Sequence, residues 1–351
     1  MHILENKIWV EDLDETADHL PELKMLAGTS ILITGCTGLI CSAMTDLLIR
    51  WNTAHDQKIS ILAAGRSKDK IRARFEPYQN EPWFHAVLFD AASSENKLPT
   101  SCDYILHGAG NASPNKIMKE PVETMISNFL GVKNLLDYAG KQGIRRLLYI
   151  SSSEVYGKKE GDIAYQEDEY GYIDLLNPRN SYSVGKRATE TLCASYAYEY
   201  GMDSVIVRPG HIYGPTASET DNRVSSAWAF AVARGESIVM KSDGAQLRSY
   251  CYNLDCATAI LTVLLKGESL QAYNISNPDS IISIRQMAEI MTSTAGVPLI
   301  TELPTERERK AFNPMGNSSL DSTKLQKLGW KGWFDAEKGF SHTVNILRDM
   351  N

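Results

Sequence analysis

Ser30-Ile31-Leu32-Ile33-Thr34 runs directly into Gly35-Cys36-Thr37-Gly38-Leu39-Ile40-Cys41-Ser42. The first five residues are mostly apolar and β-branched, as a buried strand requires. Two glycines then break the run, and Leu39–Trp51 takes up helical spacing. Gly35 permits a tight turn, and Gly38 lets backbone approach a pyrophosphate. The first turn of the helix points its free N–H groups and positive dipole end at the phosphates. A lone G-x-x-G says little; between a strand and a helix it marks a dinucleotide site. The candidate cofactor contacts here are Gly35, Cys36, Thr37, Gly38, Leu39 and Ile40. Cys41 stands where a third glycine often sits and is small enough for close packing.

The same alternation continues outward from that loop. Strands are expected at Lys58–Ala63, His85–Phe89, Tyr104–His107, Leu147–Ile150 and Ser204–Arg208. Helices are expected at Val122–Gln142 and from about Tyr182 to Tyr200. Apolar strands alternating with helices indicate an α/β protein, with a doubly wound parallel sheet covered on both faces. Ligands bind such sheets beyond the carboxyl ends of the strands. Residues 1–28 read as an acidic N-terminal extension with a short helix near Glu11–Leu20, packed on the main domain or on a partner subunit. Residues 29–208, with about 250–269, form the Rossmann-type NAD(P)-binding domain. Past Arg208, Pro209, Gly210, Gly214 and Pro215 break the rhythm. Residues 209–249 and about 270–351 are therefore expected to form a smaller, mixed α/β lobe that binds substrate.

The second predicted strand ends Ala63-Ala64-Gly65-Arg66, with no acidic residue to bind the adenosine ribose hydroxyls. Arg66 either meets the 2′-phosphate of NADP or is simply solvated, so the cofactor is read as NAD or NADP. Asp90, with Ala91 beside it, can accept a hydrogen bond from the adenine amine. Gly108-Ala109-Gly110 ends the fourth strand with little bulk and can lie against the dinucleotide.

Two segments carry the chemistry. Asn180-Ser181-Tyr182-Ser183-Val184-Gly185-Lys186 places Tyr182 and Lys186 one helical turn apart on one face. Ser151-Ser152-Ser153-Glu154-Val155-Tyr156-Gly157 sets hydroxyls and a carboxylate at the end of an apolar strand. A phenol, an ammonium and a hydroxyl in one cleft can remove a proton from a substrate alcohol. Free tyrosine ionises near pH ~10. A nearby Lys186 ammonium and a cationic nicotinamide are both expected to lower the Tyr182 pKa.

The 351 residues carry a formal net charge of -7, which does not favour a nucleic-acid or membrane-surface partner. No apolar run is long enough to span a bilayer. Met1 to Asp14 is acidic and lacks the apolar core of a signal peptide. Six cysteines with no C-x-x-C pair fit reduced thiols in the cytoplasm rather than disulfides or a metal site.

Taken in order, these motifs resemble the extended short-chain dehydrogenase/reductase family of nucleotide-sugar epimerases, dehydratases and decarboxylases. The resemblance covers nearly all of residues 29–345. It adds Asn128-Phe129-Leu130-Gly131, Arg208-Pro209-Gly210-His211-Ile212-Tyr213-Gly214-Pro215, Arg248-Ser249-Tyr250, Tyr273-Asn274-Ile275 and Asp321-Ser322-Thr323-Lys324 to the segments above. It implies that Tyr182 is the base for a sugar hydroxyl and that Ser152 binds the reacting oxygen. Lys186 also holds the nicotinamide ribose, and the dinucleotide is tightly bound and recycled. Asn128, Ser151, Pro209 and His211 join the cofactor contacts. Asn111, Arg179, His211, Arg223, Val224 and Arg248 become candidate substrate contacts, with Arg248 foremost for a diphosphate. The resemblance further implies a homodimer through the helices at Val122–Gln142 and Tyr182–Tyr200.

Within that family Glu154 discriminates. Dehydratases carry Asp-Glu at positions 153 and 154, and UDP-glucuronate decarboxylases carry Ser-Glu, as here. Glu169-Tyr170-Gly171-Tyr172, Asn177-Pro178-Arg179 and Asp221-Asn222-Arg223-Val224-Ser225 also look like the decarboxylases. Two departures stand against them. Their arginine just before the Leu320-Asp321 position is absent from Asn317-Ser318-Ser319, leaving Arg307 or Arg309 to replace it. His211 occupies a position where the family often has asparagine. Decarboxylation is the leading expectation, then dehydration, with 4-epimerisation as the alternative and a non-catalytic dinucleotide-binding scaffold as a remote one.

Overall fold

A computed structural model describes residues 1–159, 161, 163–302 and 317–351. Among the described residues the strands in chain order are β1 (Ser30–Thr34), β2 (Ser60–Gly65), β3 (Phe84–Leu88), β4 (Tyr104–His107), β5 (Arg146–Ile150), β6 (Ser204–Pro209), β7 (His211–Tyr213), β8 (Ile238–Met240), β9 (Leu247–Tyr252), β10 (Ala272–Ile275), β11 (Ile281–Ser283), β12 (Leu299–Thr301) and β13 (Asn317–Ser318). The α-helices among the described residues are α1 (Lys7–Asp18), α2 (Leu39–Ala54), α3 (Lys68–Arg74), α4 (Pro114–Lys119), α5 (Pro121–Gln142), α6 (Ser181–Tyr200), α7 (Val224–Ala233), α8 (Asn253–Lys266), α9 (Ile284–Ala295), α10 (Thr323–Gln326) and α11 (Ala336–Met350).

A seven-stranded parallel sheet runs β10-β6-β5-β4-β1-β2-β3. Side chains alternate across it, as the strand period dictates. Ile31, Ile33, Leu106, Leu148, Val205 and Val207 pack with residues of α2 and α8. Leu32, Ile105, Leu147, Tyr149 and Ile206 pack on the other face with Val132, Leu135 and Leu136 of α5 and Cys193 of α6. Burial on both faces explains why these strands read as nearly continuous apolar runs.

The seventh strand is a correction. The sequence division assigned everything from about 270 onward to the smaller lobe. Ala272–Ile275 instead pairs in parallel with β6, Tyr273 beside Val207 and Asn274 beside Arg208. Of the segment expected to return to this sheet, Leu247–Tyr252 belongs to a second sheet, in which β9 pairs with β7, β11 and Asn317–Ser318. Only α8 lies against the main one. A two-stranded pair of β8 and Leu299–Thr301 completes the smaller lobe among the described residues. Arg307 and Arg309 lie outside the described residues.

The first helix begins earlier than expected, at Lys7, because the Asn6 side chain accepts from Trp9 N at 3.1 Å and caps it. It is stitched to both ends of the fold. Trp9 Nε1 donates to the buried Asp46 of α2 at 3.1 Å, and Arg74 also pairs with that carboxylate. Buried Asp12 accepts from Tyr252 OH at 2.9 Å and lies 2.8 Å from His342 Nδ1 of the C-terminal helix Ala336–Met350. Lys338 of that helix pairs with Glu15 at 2.7 Å.

Candidate active site

The site lies beyond the carboxyl ends of β1, β4, β5 and β6. Gly35 takes a left-handed φ of 72°, and a Cβ there would meet Ala109 N and the Gly108 carbonyl at 2.9 Å. Gly35 N and Cys36 N donate to Ala64 O, and Gly38 N donates back to Gly35 O at 2.8 Å. The loop is therefore fixed by its own backbone. Gly38 caps α2 with no side-chain bond, so the N–H groups of the first turn face outward. Thr37 and Gly38 are exposed, whereas Cys36 and Cys41 are buried. Burial pushes both thiols up to about 12, which makes them packing groups. Gly108 is needed for space: a Cβ there would stand 2.3 Å from Cys41 Sγ.

Two buried oxygens along this wall, Asn128 Oδ1 and Ser151 Oγ, have no hydrogen-bond partner among the described residues. A Cβ on Gly110 would lie 3.3 Å from that Asn128 oxygen. Unmet acceptors and donors beside a glycine-lined cradle and an open helix N-terminus fit a dinucleotide. Asp90 and Arg66 lie exposed at the ends of β3 and β2, and Ala91 packs against Gly131 of α5. Pro209 ends β6.

Tyr182 and Lys186 lie on the buried face of α6. Lys186 Nζ donates to Ile150 O at 2.7 Å and lies over the rings of Tyr149, at 4.7 Å, and Tyr182, at 5.6 Å. Burial lowers its pKa to about 7, against the opposing pull of Glu190. The expected fall in the Tyr182 pKa is reversed in the chain itself. Burial, with the Glu154 charge adding to it, pushes the phenol up to about 12, while Ser152, which hydrogen-bonds it, and Arg223 and Arg179 pull it down. Spacing revealed the cation one turn away but not the desolvation of both groups.

Glu154 sits in a short 3-10 turn, Ser153–Tyr156, that begins where β5 ends. Its carboxylate accepts from Ser183 Oγ at 3.0 Å and faces the Arg179 guanidinium through two contacts of 3.4 Å. Its backbone N–H donates to Ser152 Oγ at 3.2 Å. Arg223 is held by Asp221 in a forked ion pair just before α7, with Val224 exposed beside it. Arg248 is buried on β9, its Nη1 donating to Leu247 O at 2.8 Å. It is in register with Ser318, at the very segment that lacks the expected arginine. His211 keeps exposed surface and lies edge-on to Tyr250, with ring centroids 5.8 Å apart. Desolvation, with Arg248 and Arg223 adding to it, lowers its pKa to about 4, so the imidazole is neutral at ordinary pH. Asn111 follows the Gly108–Gly110 wall and is half-buried.

The structure brings five of the candidates together: Ser152 hydrogen-bonds Tyr182, the charges of Glu154, Arg223 and Arg179 act on the phenol, and Arg179 faces Glu154. Ser183, which orients Glu154, lies outside the expected site residues because its partner belongs to another element; Asp221, from the Asp221–Ser225 segment, fixes Arg223 two residues on. A cavity of about 880 Å³ lies elsewhere. It opens on another face of α6, between Arg187, Glu190, Arg208, Tyr170 and Lys324, and contains none of the catalytic candidates.

A parallel sheet with a glycine loop and an α6 Tyr–Lys pair defines a dinucleotide-dependent enzyme of the Rossmann class. The chain belongs to the NAD dependent epimerase/dehydratase family, whose model matches residues 31–276. UDP-glucuronic acid decarboxylase 3 of Arabidopsis thaliana is 30% identical over 307 residues, covering 86% of this chain and 84% of that one. UDP-glucuronic acid decarboxylase 1 of Xenopus tropicalis is 28% identical over 325 residues, 91% of this chain and 72% of the relative. A dTDP-glucose 4,6-dehydratase of Streptomyces venezuelae superposes with a TM-score of 0.76 at 21% identity, covering 91% of this chain and 97% of that chain.

Proposed function

We propose that the chain is an NAD(P)-dependent nucleotide-sugar lyase that decarboxylates a UDP-hexuronate through a 4-keto intermediate. The observation that carries this reading is Glu154. It stands close enough to Tyr182 to oppose ionisation of the phenol, and it is anchored by Ser183 and Arg179.

Gly35–Ile40, Arg66, Asp90, Ala91, Gly108–Gly110, Asn128, Ser151, Lys186, Pro209 and His211 hold the dinucleotide. When bound, the dinucleotide would supply reversible hydride acceptance at C4. Tyr182 takes the O4 proton, and Ser152 hydrogen-bonds the same oxygen. Lys186 orients the ribose and supplies positive charge behind the phenol. Once C4 is a ketone, a C6 carboxylate belongs to a β-keto acid, and loss of CO₂ leaves an enolate across C4 and C5. Glu154 manages the proton that C5 then receives. Arg248 and Arg223 meet the diphosphate, with Asn111, His211, Arg179 and Val224 around the sugar.

The serine at 153 supports decarboxylation over dehydration, because a hydroxyl is a poor acid for a departing hydroxide. Asp221 is no substitute. Burial alone raises its pKa, but the Arg223 hydrogen bonds and charge outweigh burial and keep it ionised.

Incubation with a panel of nucleotide sugars, read by product mass, tests the reading. Loss of CO₂ from UDP-glucuronate is expected. A product lighter by water establishes dehydration, and an epimer of unchanged mass establishes epimerisation. Glu154→Gln is expected to cut lyase turnover at least about 100-fold; unchanged turnover removes the main support for the lyase reading.

The working unit is a homodimer. Val122, Met125, Ile126 and Phe129 form an exposed apolar stripe along α5 at helical spacing. Sedimentation should give twice the chain mass, and Phe129→Glu should halve it; a monomeric wild type contradicts the assignment. Six unpaired cysteines support a cytoplasmic location. No helix among the described residues is long and apolar enough to cross a membrane.

A further inference from the structure

The adenosine end of the cofactor cleft has a charge pattern that hydride exchange does not require. Gly35 N and Cys36 N donate to Ala64 O at 2.9 and 3.3 Å, which staples the end of β2 to the glycine loop. Gly65 and Arg66 leave the sheet beside that loop, where the adenosine ribose of a dinucleotide lies in this architecture. A ribose with a free 2′-hydroxyl is held there by a carboxylate. The run Ala63-Ala64-Gly65-Arg66-Ser67-Lys68 contains none.

Neighbouring acids do not supply one. Asp69 is exposed on α3 between Lys68 and Lys70. Asp90, at the end of β3, accepts from Ala92 N at 3.0 Å through Oδ1 and so caps its own turn. Arg66 is exposed and, among the described residues, forms no hydrogen bond or ion pair. Arg66, Lys68 and Lys70 place three cations within five residues of a chain whose net charge is -7.

We propose that the resident cofactor is NADP, with Arg66 binding the 2′-phosphate of the adenosine ribose and Lys68 and Lys70 adding to the local positive field. A guanidinium fork matches two phosphate oxygens, and an unengaged arginine gives up no internal partner to do so. The preference departs from the cofactor in the family's own description. It concerns only the adenosine end, so it does not depend on which sugar reaction the chain performs.

Competition tests this without assaying turnover. The protein is equilibrated with an excess of NAD⁺ and NADP⁺ in equal amounts, freed of unbound nucleotide, and the bound species are identified by mass. NADP⁺ is expected to outnumber NAD⁺ by about ten to one or more at low salt, with the ratio falling as salt rises. Arg66→Ala should bring the ratio near unity, and Arg66→Glu should invert it. Both variants change an exposed side chain, so folding is not at stake. A wild type that retains as much NAD⁺ as NADP⁺, or a preference that Arg66→Ala leaves in place, overturns the proposal.

Discussion

Replacing Tyr182 by Phe is expected to lower turnover by about two to four orders of magnitude, the usual contribution of a positioned general base. The variant keeps the ring over which Lys186 lies, and with it the packing on the buried face of α6. Dinucleotide affinity and unfolding midpoint should therefore stay within a factor or degree of the wild type. Only the phenolic oxygen, with its hydrogen bond to Ser152, is lost. The pH profile separates this loss from a structural one. In the chain alone, burial and Glu154 hold the phenol near 12, so it is protonated at neutral pH. Below that value the phenolate fraction grows about ten-fold per pH unit. The wild-type rate should climb with pH until another group limits it, and Tyr182→Phe should lose the climbing limb. A variant that turns over sugar like the wild type would instead revive the reading of a non-catalytic dinucleotide-binding scaffold.

Breaking the Arg208–Glu190 pair is the second large effect, and it acts on stability. Arg208 is 2% and Glu190 11% exposed in side chain, so solvent screens the pair little. The guanidinium donates to both carboxylate oxygens, at 3.1 and 2.7 Å, and to Tyr156 OH, Tyr170 OH and Glu167 O. Glu190→Ala leaves a buried cation without its counter-charge, a change that costs about 3–5 kcal/mol. Urea unfolding should show the loss as a lowered midpoint with an unchanged slope. Glu190→Gln, which keeps an acceptor and loses the charge, should fall between the two. Glu190 also sits one turn beyond Lys186 and favours its charged form. Losing it should move Lys186 deprotonation below about 7. Any activity that needs the Lys186 ammonium then disappears at a lower pH than in the wild type.

Much of the dinucleotide half was legible because its signals are local. A β-branched run, two glycines and a helical repeat lie within about twenty residues, and each is read from its neighbours. The strand Ala272–Ile275 was assigned to the wrong lobe because its partner, β6, precedes it by a long excursion through the second sheet. No periodicity within four residues reports a distant partner. The Tyr182–Lys186 pair was legible as a one-turn spacing, whereas the direction of the Tyr182 pKa was not. That direction depends on burial and on Glu154, which reaches the phenol from another element. Ser183 escaped for the same reason: a lone serine after a tyrosine means nothing until Glu154 is seen beside it.

The bonds of Trp9 to Asp46 and of Asp12 to Tyr252 and His342 carry a consequence for recombining this enzyme with its relatives. The family motifs begin only after residues 1–28, so a chimera built on them would join the parts just ahead of Ser30. Such a junction would pair a foreign leader with this chain's α2, leaving Asp46 without its indole donor inside a dry core. It would also strip Asp12 from the last helix. The unit that can be exchanged intact is therefore not a contiguous block. It comprises the opening helix, the dinucleotide half and the closing helix together, and hybrids that respect this grouping should express as folded protein where simple head-to-tail fusions do not.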